Sequence, residues 1–226
     1  MMHDIDHIKS IFARHANEEI ADGMKAYMKE RFEFYGIQAV KRRELQRPFL
    51  IKTNLPDKWE AFDLVQKMWE QPQRELQYFG IDLIFKYQRE LEKEDIGFLE
   101  YLLTHKSWWD TVDFLAANPV GAYLKIFPEA RRYLVESWLD SGNIWLQRTC
   151  LIYQLKYQDE LDNREMEATI GRLNGGKEFF INKAIGWILR EYSKTDPDWV
   201  TDYVNRVELH PLSRREAMKV IFRGKE

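Results

Sequence analysis

The sequence predicts an all-α fold in which short helices follow one another in pairs, an α-solenoid. Three observations lead there. Apolar residues recur at intervals of three and four almost throughout, and strict alternation is hard to find. Only 11 Gly and 7 Pro occur in 226 residues, too few for the many tight turns of a sandwich or barrel. A step of 35 residues, in the range of two-helix repeats, links a series of similar local strings.

Taken in order, helices are expected at 5–16, 17–32, 39–52, 57–70, 72–90, 94–106, 108–117, 119–126, 128–140, 143–157, 162–173, 177–194, 196–206 and 211–222. Pro56, Pro72, Pro119, Pro128, Pro197 and Pro211 stand at or just inside these starts, where a missing N–H costs little. Asn118 and Asp196 precede two of them as suitable N-caps. Gly142-Asn143 and Gly175-Gly176 mark turns between helices. Linkers are short and nothing is low-complexity, so residues 1–226 are expected to form a single repeat domain.

Steps of 35 from Arg43 reach Tyr78, Asp113, Arg148 and Lys183, within RRELQRPFL, LQYFGIDLI, TVDFLAANP, LQRTCLIYQ and INKAIGWIL. The next step falls at Met218, with Arg215 slightly early. Equivalent positions of successive repeats line up along one surface. These five residues would then form a row, cationic apart from Tyr78 and one carboxylate.

Hydrophobic residues make up 45% of the chain and aromatics 14%, so a large packed core is available and wholesale disorder is excluded. The net charge of −3 advertises no nucleic acid globally, although a local basic surface remains compatible with it. The single cysteine, Cys150, forms no intramolecular disulfide and completes no cysteine zinc site. His3, His7, His15, His105 and His210 are scattered, the first two read as solvated side chains, and no metal or other cofactor is expected. The opening MMHDIDHIKS is no signal peptide, and no window approaches the roughly 20 apolar residues of a membrane span. A soluble, reduced, cytoplasmic protein is expected, and a monomer, since no coiled-coil seam stands out.

Three constellations carry possible chemistry. In helix 177–194, Lys183, Trp187, Arg190 and Lys194 fall within about 60° of arc, opposite Ile181, Ile185, Ile188, Leu189 and Tyr192. Trp187 is then either covered by a neighbouring helix or lysine stems, or an aromatic platform in a phosphate-binding surface. In SWWDTVD, Trp109 and Asp113 share a helix face, while Asp110 suits a cap. Asp113 is either a core-network acid or an anion that stabilises a cationic centre among bases. In NIWLQRTCLIYQLKY, Arg148 is either an ion-pair member or a fork for a phosphate, and Lys156 follows near the other end.

These stretches, together with FYGIQAVKRREL, EFFINKAIGWILREYSKTDPDWV and HPLSRREAMKVI, resemble the bacterial AlkD-type alkylpurine DNA glycosylases over about Tyr27 to Ile221. The resemblance implies a curved array of HEAT-like repeats with a concave DNA-binding groove. It also implies excision of cationic N3- and N7-alkylated purines, such as 3-methyladenine and 7-methylguanine, from double-stranded DNA, without full base flipping. Carried over position by position, Asp113 matches the catalytic carboxylate, Trp109 and Trp187 the aromatics beside the deoxyribose, and Arg148 a phosphate-contacting arginine. Gln38, Arg43, Lys156, Lys183, Arg190, Lys194, Arg214 and Arg215 make up the candidate DNA-contact set. A departure lies at Ala39, where the family pattern calls for a hydroxyl residue that helps hold the backbone. Two rivals share the fold: a protein-binding helical scaffold, and a catalytically inactive protein that binds particular DNA structures.

Overall fold

The computed structural model describes residues 4–223, the side chain of Arg223 excepted. His3, half of the expected solvated His3/His7 pair, lies outside the described residues, as do Met1 and Met2. Among the described residues there is no strand, only an isolated bridge between Glu33 and Gln73. No helix among them is long and apolar enough to cross a membrane. The chain divides into two compact units, 1–91 and 92–226. No glycine or proline marks the division, which falls in the charged stretch Gln88–Asp95.

The first unit contains α1 (Ile5–Ala13), α2 (Glu18–Tyr27), α3 (Ala39–Leu50), α4 (Lys58–Glu70) and α5 (Arg74–Ile84). Side chains of Asp4, Asn17 and Asp57 cap the first, second and fourth, accepting N–H groups that have no partner within the helix. Helix α2 stops short of the expected residue 32, because Lys29 and Glu30 turn into the left-handed region at φ 59° and 56°. The apolar stripes meet in a core that includes Ile8, Phe12, Phe49, Val65, Met68 and Phe79. The Phe79 ring lies 5.7 Å from Phe49 and 6.2 Å from Phe12. The buried Glu75 carboxylate accepts three consecutive N–H groups, from Tyr35, Gly36 and Ile37, at 2.9–3.1 Å. This anchors the segment entering α3.

The second unit contains α6 (Ile96–Thr104), α7 (Trp109–Leu115), α8 (Gly121–Ile126), α9 (Pro128–Asp140), α10 (Ile144–Ile152), α11 (Asn163–Leu173), α12 (Phe179–Tyr192), α13 (Pro197–Arg206) and α14 (Pro211–Arg223). Pro128, Pro197 and Pro211 open their helices, and Asn143, Asp162 and Asp196 cap α10, α11 and α13. Pro119 behaves differently from the expectation. The chain does not break between residues 117 and 119; a π-type turn over Ala116–Val120 joins α7 to α8. Pro119 has no N–H, and the N–H of Gly121 reaches back five residues to Ala116 O. Asn118 is therefore not a cap, and its Nδ2 donates to Phe114 O at 2.8 Å.

Polar links in this unit recur at about one repeat. Lys125 and Glu160 pair across 35 residues, Arg131 and Glu165 across 34, and Arg172 and Asp140 across 32. The spacing follows from stacking: each helical pair covers the apolar face of the one before it, so side chains one repeat apart become neighbours.

Candidate functional site

Asp113 and Arg148 occupy equivalent places on α7 and α10, 35 residues apart, and make a two-point ion pair. Arg148 Nε donates to Asp113 Oδ1 at 2.7 Å and Nη2 to Oδ2 at 2.8 Å. Its Nη1 donates to the carbonyl oxygen of Phe180 at the start of α12. Three successive helical layers thus fix one guanidinium. The rings of Trp108, Trp145 and Phe180 pack together with centroids 5.0–5.5 Å apart, and the Arg148 guanidinium carbon lies 6.0 Å from the centre of the Phe180 ring.

The partners differ in exposure. The Arg148 side chain is 3% exposed and that of Asp113 15%. Burial pushes the Asp113 carboxyl above the ordinary carboxylate value, and the Arg148 guanidinium pulls it partly back. An ionised carboxylate has about four lone-pair sites on its two oxygens. The bidentate grip uses one on each oxygen, leaving others for a water or a positive centre.

Asp113 also edges a cleft of about 390 Å³ in the second unit. Trp187 and Asn118 line it with Asp113, apolar wall comes from Phe114, Ala117 and Leu155, and Lys156, Glu191 and Lys194 stand at its polar side. Lys194 pairs with Glu191 at 2.7 Å. Trp187 is half-buried on α12, whose Ile181, Ile185, Ile188, Leu189 and Tyr192 are all buried. Trp109 is half-buried one turn before Asp113 on α7, and it is not among the residues lining the cleft.

The remaining candidates separate. Lys183 and Arg190 do not stand as unengaged cations; both pair with the buried Glu216 of α14, at 2.8 Å each. Arg214 turns back to the end of α13, donating to Val204 O at 2.5 Å and Asn205 Oδ1 at 3.2 Å. Arg215 and Lys156 are exposed. Gln38 and Arg43 are exposed on the first unit, Gln38 at the N-cap of α3 with no side-chain cap bond and Ala39 as its first residue. Arg148 takes the ion-pair alternative, with three of its donors committed inside the protein. Trp108, not Asp110, is at the N-cap of α7, and Asp110 lies in its first turn, where a negative charge suits the helix dipole.

Sequence reasoning missed Glu216, Asn118 and Glu191. The available signals for Glu216 were its distance of nearly one repeat from Lys183 and its i,i+3 spacing from Lys219. Among the described residues no group of three or more His, Cys, Asp or Glu could hold a metal ion. Cys150 is buried, and burial pushes its thiol far up.

A family model for DNA alkylation repair enzymes matches residues 8–221. Among solved structures, a predicted DNA alkylation repair enzyme from Enterococcus faecalis is similar at 32% identity and TM-score 0.82, covering 90% of this chain and 95% of that one. AlkD2 from Streptococcus mutans is similar in fold at 19% identity and TM-score 0.60, over 78% of this chain and 88% of that one. So is smu.31 from Streptococcus mutans UA159, at 17% identity and TM-score 0.59, over 89% and 97%. Comparison with curated proteins gives no match. With the family model spanning nearly all of it and a relative so similar over nine-tenths of its length, the chain belongs to the DNA alkylation repair enzyme family.

Proposed function

We propose that the protein is a DNA glycosylase that hydrolyses the N-glycosidic bond of cationic N3- and N7-alkylated purines in duplex DNA. The observation that carries this reading is the Asp113 carboxylate, clamped on one side by Arg148 and bordering a cleft shared with Trp187 and two lysines. A purine alkylated at N3 or N7 is already positive. The C1′–N bond breaks with both electrons leaving on the purine, which departs neutral while positive charge builds on the sugar. One fixed anion near C1′ stabilises that charge and holds the attacking water, whose proton passes to the carboxylate and then to solvent. No second carboxylic acid is required, unlike a glycosidase that must protonate a sugar oxygen. Trp109 and Trp187 offer electron-rich faces beside the same sugar. The exposed cations Lys156, Lys194, Arg43 and Arg215, with Gln38, are the proposed backbone contacts, holding phosphates without reading sequence.

Uncharged lesions are then poor substrates, because a neutral purine leaves reluctantly unless protonated. The direct test measures release of 7-methylguanine from methylated duplex DNA by wild type and by Asp113→Asn. We expect the variant to lose at least about 100-fold in excision while retaining its DNA affinity. Equal release by the two proteins would remove Asp113 from the chemistry. Undetectable release by wild type with strong duplex binding would favour the inactive DNA-binding reading.

A further inference from the structure

Glu216 lies within α14 and its side chain is 3% exposed, yet three cations converge on it. Lys183 Nζ at 2.8 Å and Lys219 Nζ at 2.5 Å meet Oε1, and Arg190 Nη1 meets Oε2 at 2.8 Å. The side chains of Lys183, Lys219 and Arg190 are 38%, 43% and 27% exposed, so none of the three is shut away with the acid. One carboxylate against three cations leaves a net local charge of +2.

Gly186 makes this geometry possible. A Cβ there would lie 2.5 Å from Glu216 Cβ and 2.7 Å from Ser213 O, so only glycine lets α14 approach α12 this closely. Lys183 and Arg190 flank Gly186 on α12, three residues before it and four after. Glu216 enters between them. Trp187, on the same stripe, lines the cleft that Asp113 edges.

We infer that Glu216 is a positioning residue, an internal counter-ion that holds Lys183, Arg190 and Lys219 as a pre-ordered cradle for phosphates of a DNA strand. This rests on the reading that the protein binds DNA. A lysine or arginine loose on a surface loses rotamer freedom when it grips a ligand, and that loss weakens binding. Cations already fastened to a buried acid have met that cost on folding. Their excess positive charge remains for the phosphates.

The test turns on the sign of one effect. Glu216→Gln raises the local charge, so simple electrostatics demands tighter DNA binding; loss of positioning demands weaker binding. Affinity for an undamaged duplex is measured by fluorescence anisotropy across a salt series, with thermal melting to confirm folding. We expect Glu216→Gln to bind about fivefold more weakly, the cost of re-ordering about one long side chain. Glu216→Asp should recover part of that loss. Lys219→Gln, at a half-exposed position and checked by the same melting measurement, should lower the slope of log K against log salt by about 0.9, one phosphate contact. Unchanged or tighter binding by Glu216→Gln, or an unchanged slope in Lys219→Gln, would overturn the proposal. If Glu216→Gln does not fold, Glu216→Asp and the Lys219→Gln slope decide the matter. Because no base release is measured, these results are independent of the Asp113→Asn assay.

Discussion

Asp113 edges a cleft on one side and on the other is gripped through both oxygens by Arg148, which is itself almost completely buried. The pair joins an acid that faces a cleft to a base that faces the core. Removing the base should damage both stability and chemistry. A buried charge left without its partner costs about 3–5 kcal/mol. Asp113 retains some exposure and can take up a proton, so the lower end, about 3 kcal/mol, is expected for Arg148→Met. Arg148→Lys keeps the charge but loses the two-point fork, and should lie between wild type and Arg148→Met. Urea denaturation and base release measured side by side check both; full activity in Arg148→Met would show that Asp113 needs no clamp.

The proposed mechanism gives the pH dependence of excision a definite sign. In it the working form of Asp113 is the carboxylate, and its carboxyl is raised above the ordinary aspartate value. The acid limb of the turnover profile should therefore lie above the ordinary aspartate range. Arg148 is what holds the carboxyl down against burial, so Arg148→Lys, which loses the two-point grip, moves the limb to higher pH. The measurement is single-turnover release against pH with a pH-stable lesion analogue. A limb at or below the ordinary value would mean that burial does not govern this acid.

How far the sequence disclosed this arrangement depends on how local each cause is. Periodicity within α12 separated its buried stripe from Lys183, Trp187 and Arg190, because helical geometry alone sets that division. The 35-residue step brought Asp113 and Arg148 into one row, and in the structure they are hydrogen-bonded neighbours. What the row could not give is direction. Arg148 points along it to Asp113 and Phe180 because its helix buries that face, and burial is tertiary. Pro119 read as a helix start, since a π-type turn that absorbs a proline leaves no mark in a hydrophobic pattern. Glu216 drew no reading from the sequence, because two of its three partners, Lys183 and Arg190, are on another helix, whose approach Gly186 admits.

Two glycine substitutions should act in opposite directions. Gly186→Ala puts a Cβ against Glu216 Cβ at 2.5 Å and Ser213 O at 2.7 Å, so α12 and α14 must separate. Overpacking of this kind costs about 1–3 kcal/mol. Gly171, within α11, has nothing within 4 Å of an added Cβ. There alanine restricts the unfolded chain and suits a helix better, so Gly171→Ala should stabilise by about 0.5–1 kcal/mol. Denaturation midpoints of the two variants check the contrast, and a Gly186→Ala protein as stable as wild type would show that the helices have room to spare.

Stability should itself depend on pH through Glu216. Burial pushes its carboxyl up, but its cations, Lys183 and Lys219 foremost, outweigh that and hold it at about 2, against 4.5 for a free glutamate. The unfolded chain therefore binds a proton here before the folded one does. The stabilisation is fully present above about pH 4.5 and declines as pH falls towards 2. A difference of this size corresponds to the order of 2–3 kcal/mol, taken low because the three cations are partly solvated. Glu216→Gln removes the titration while nearly preserving shape. Wild type should thus exceed the variant in stability at neutral pH, and the gap should narrow steadily below pH 4.5. Chemical denaturation of both proteins between pH 7 and the acid limit of folding gives the gap directly. A gap that stays constant over that range would place the contribution of Glu216 in its packing against Gly186 rather than in its charge.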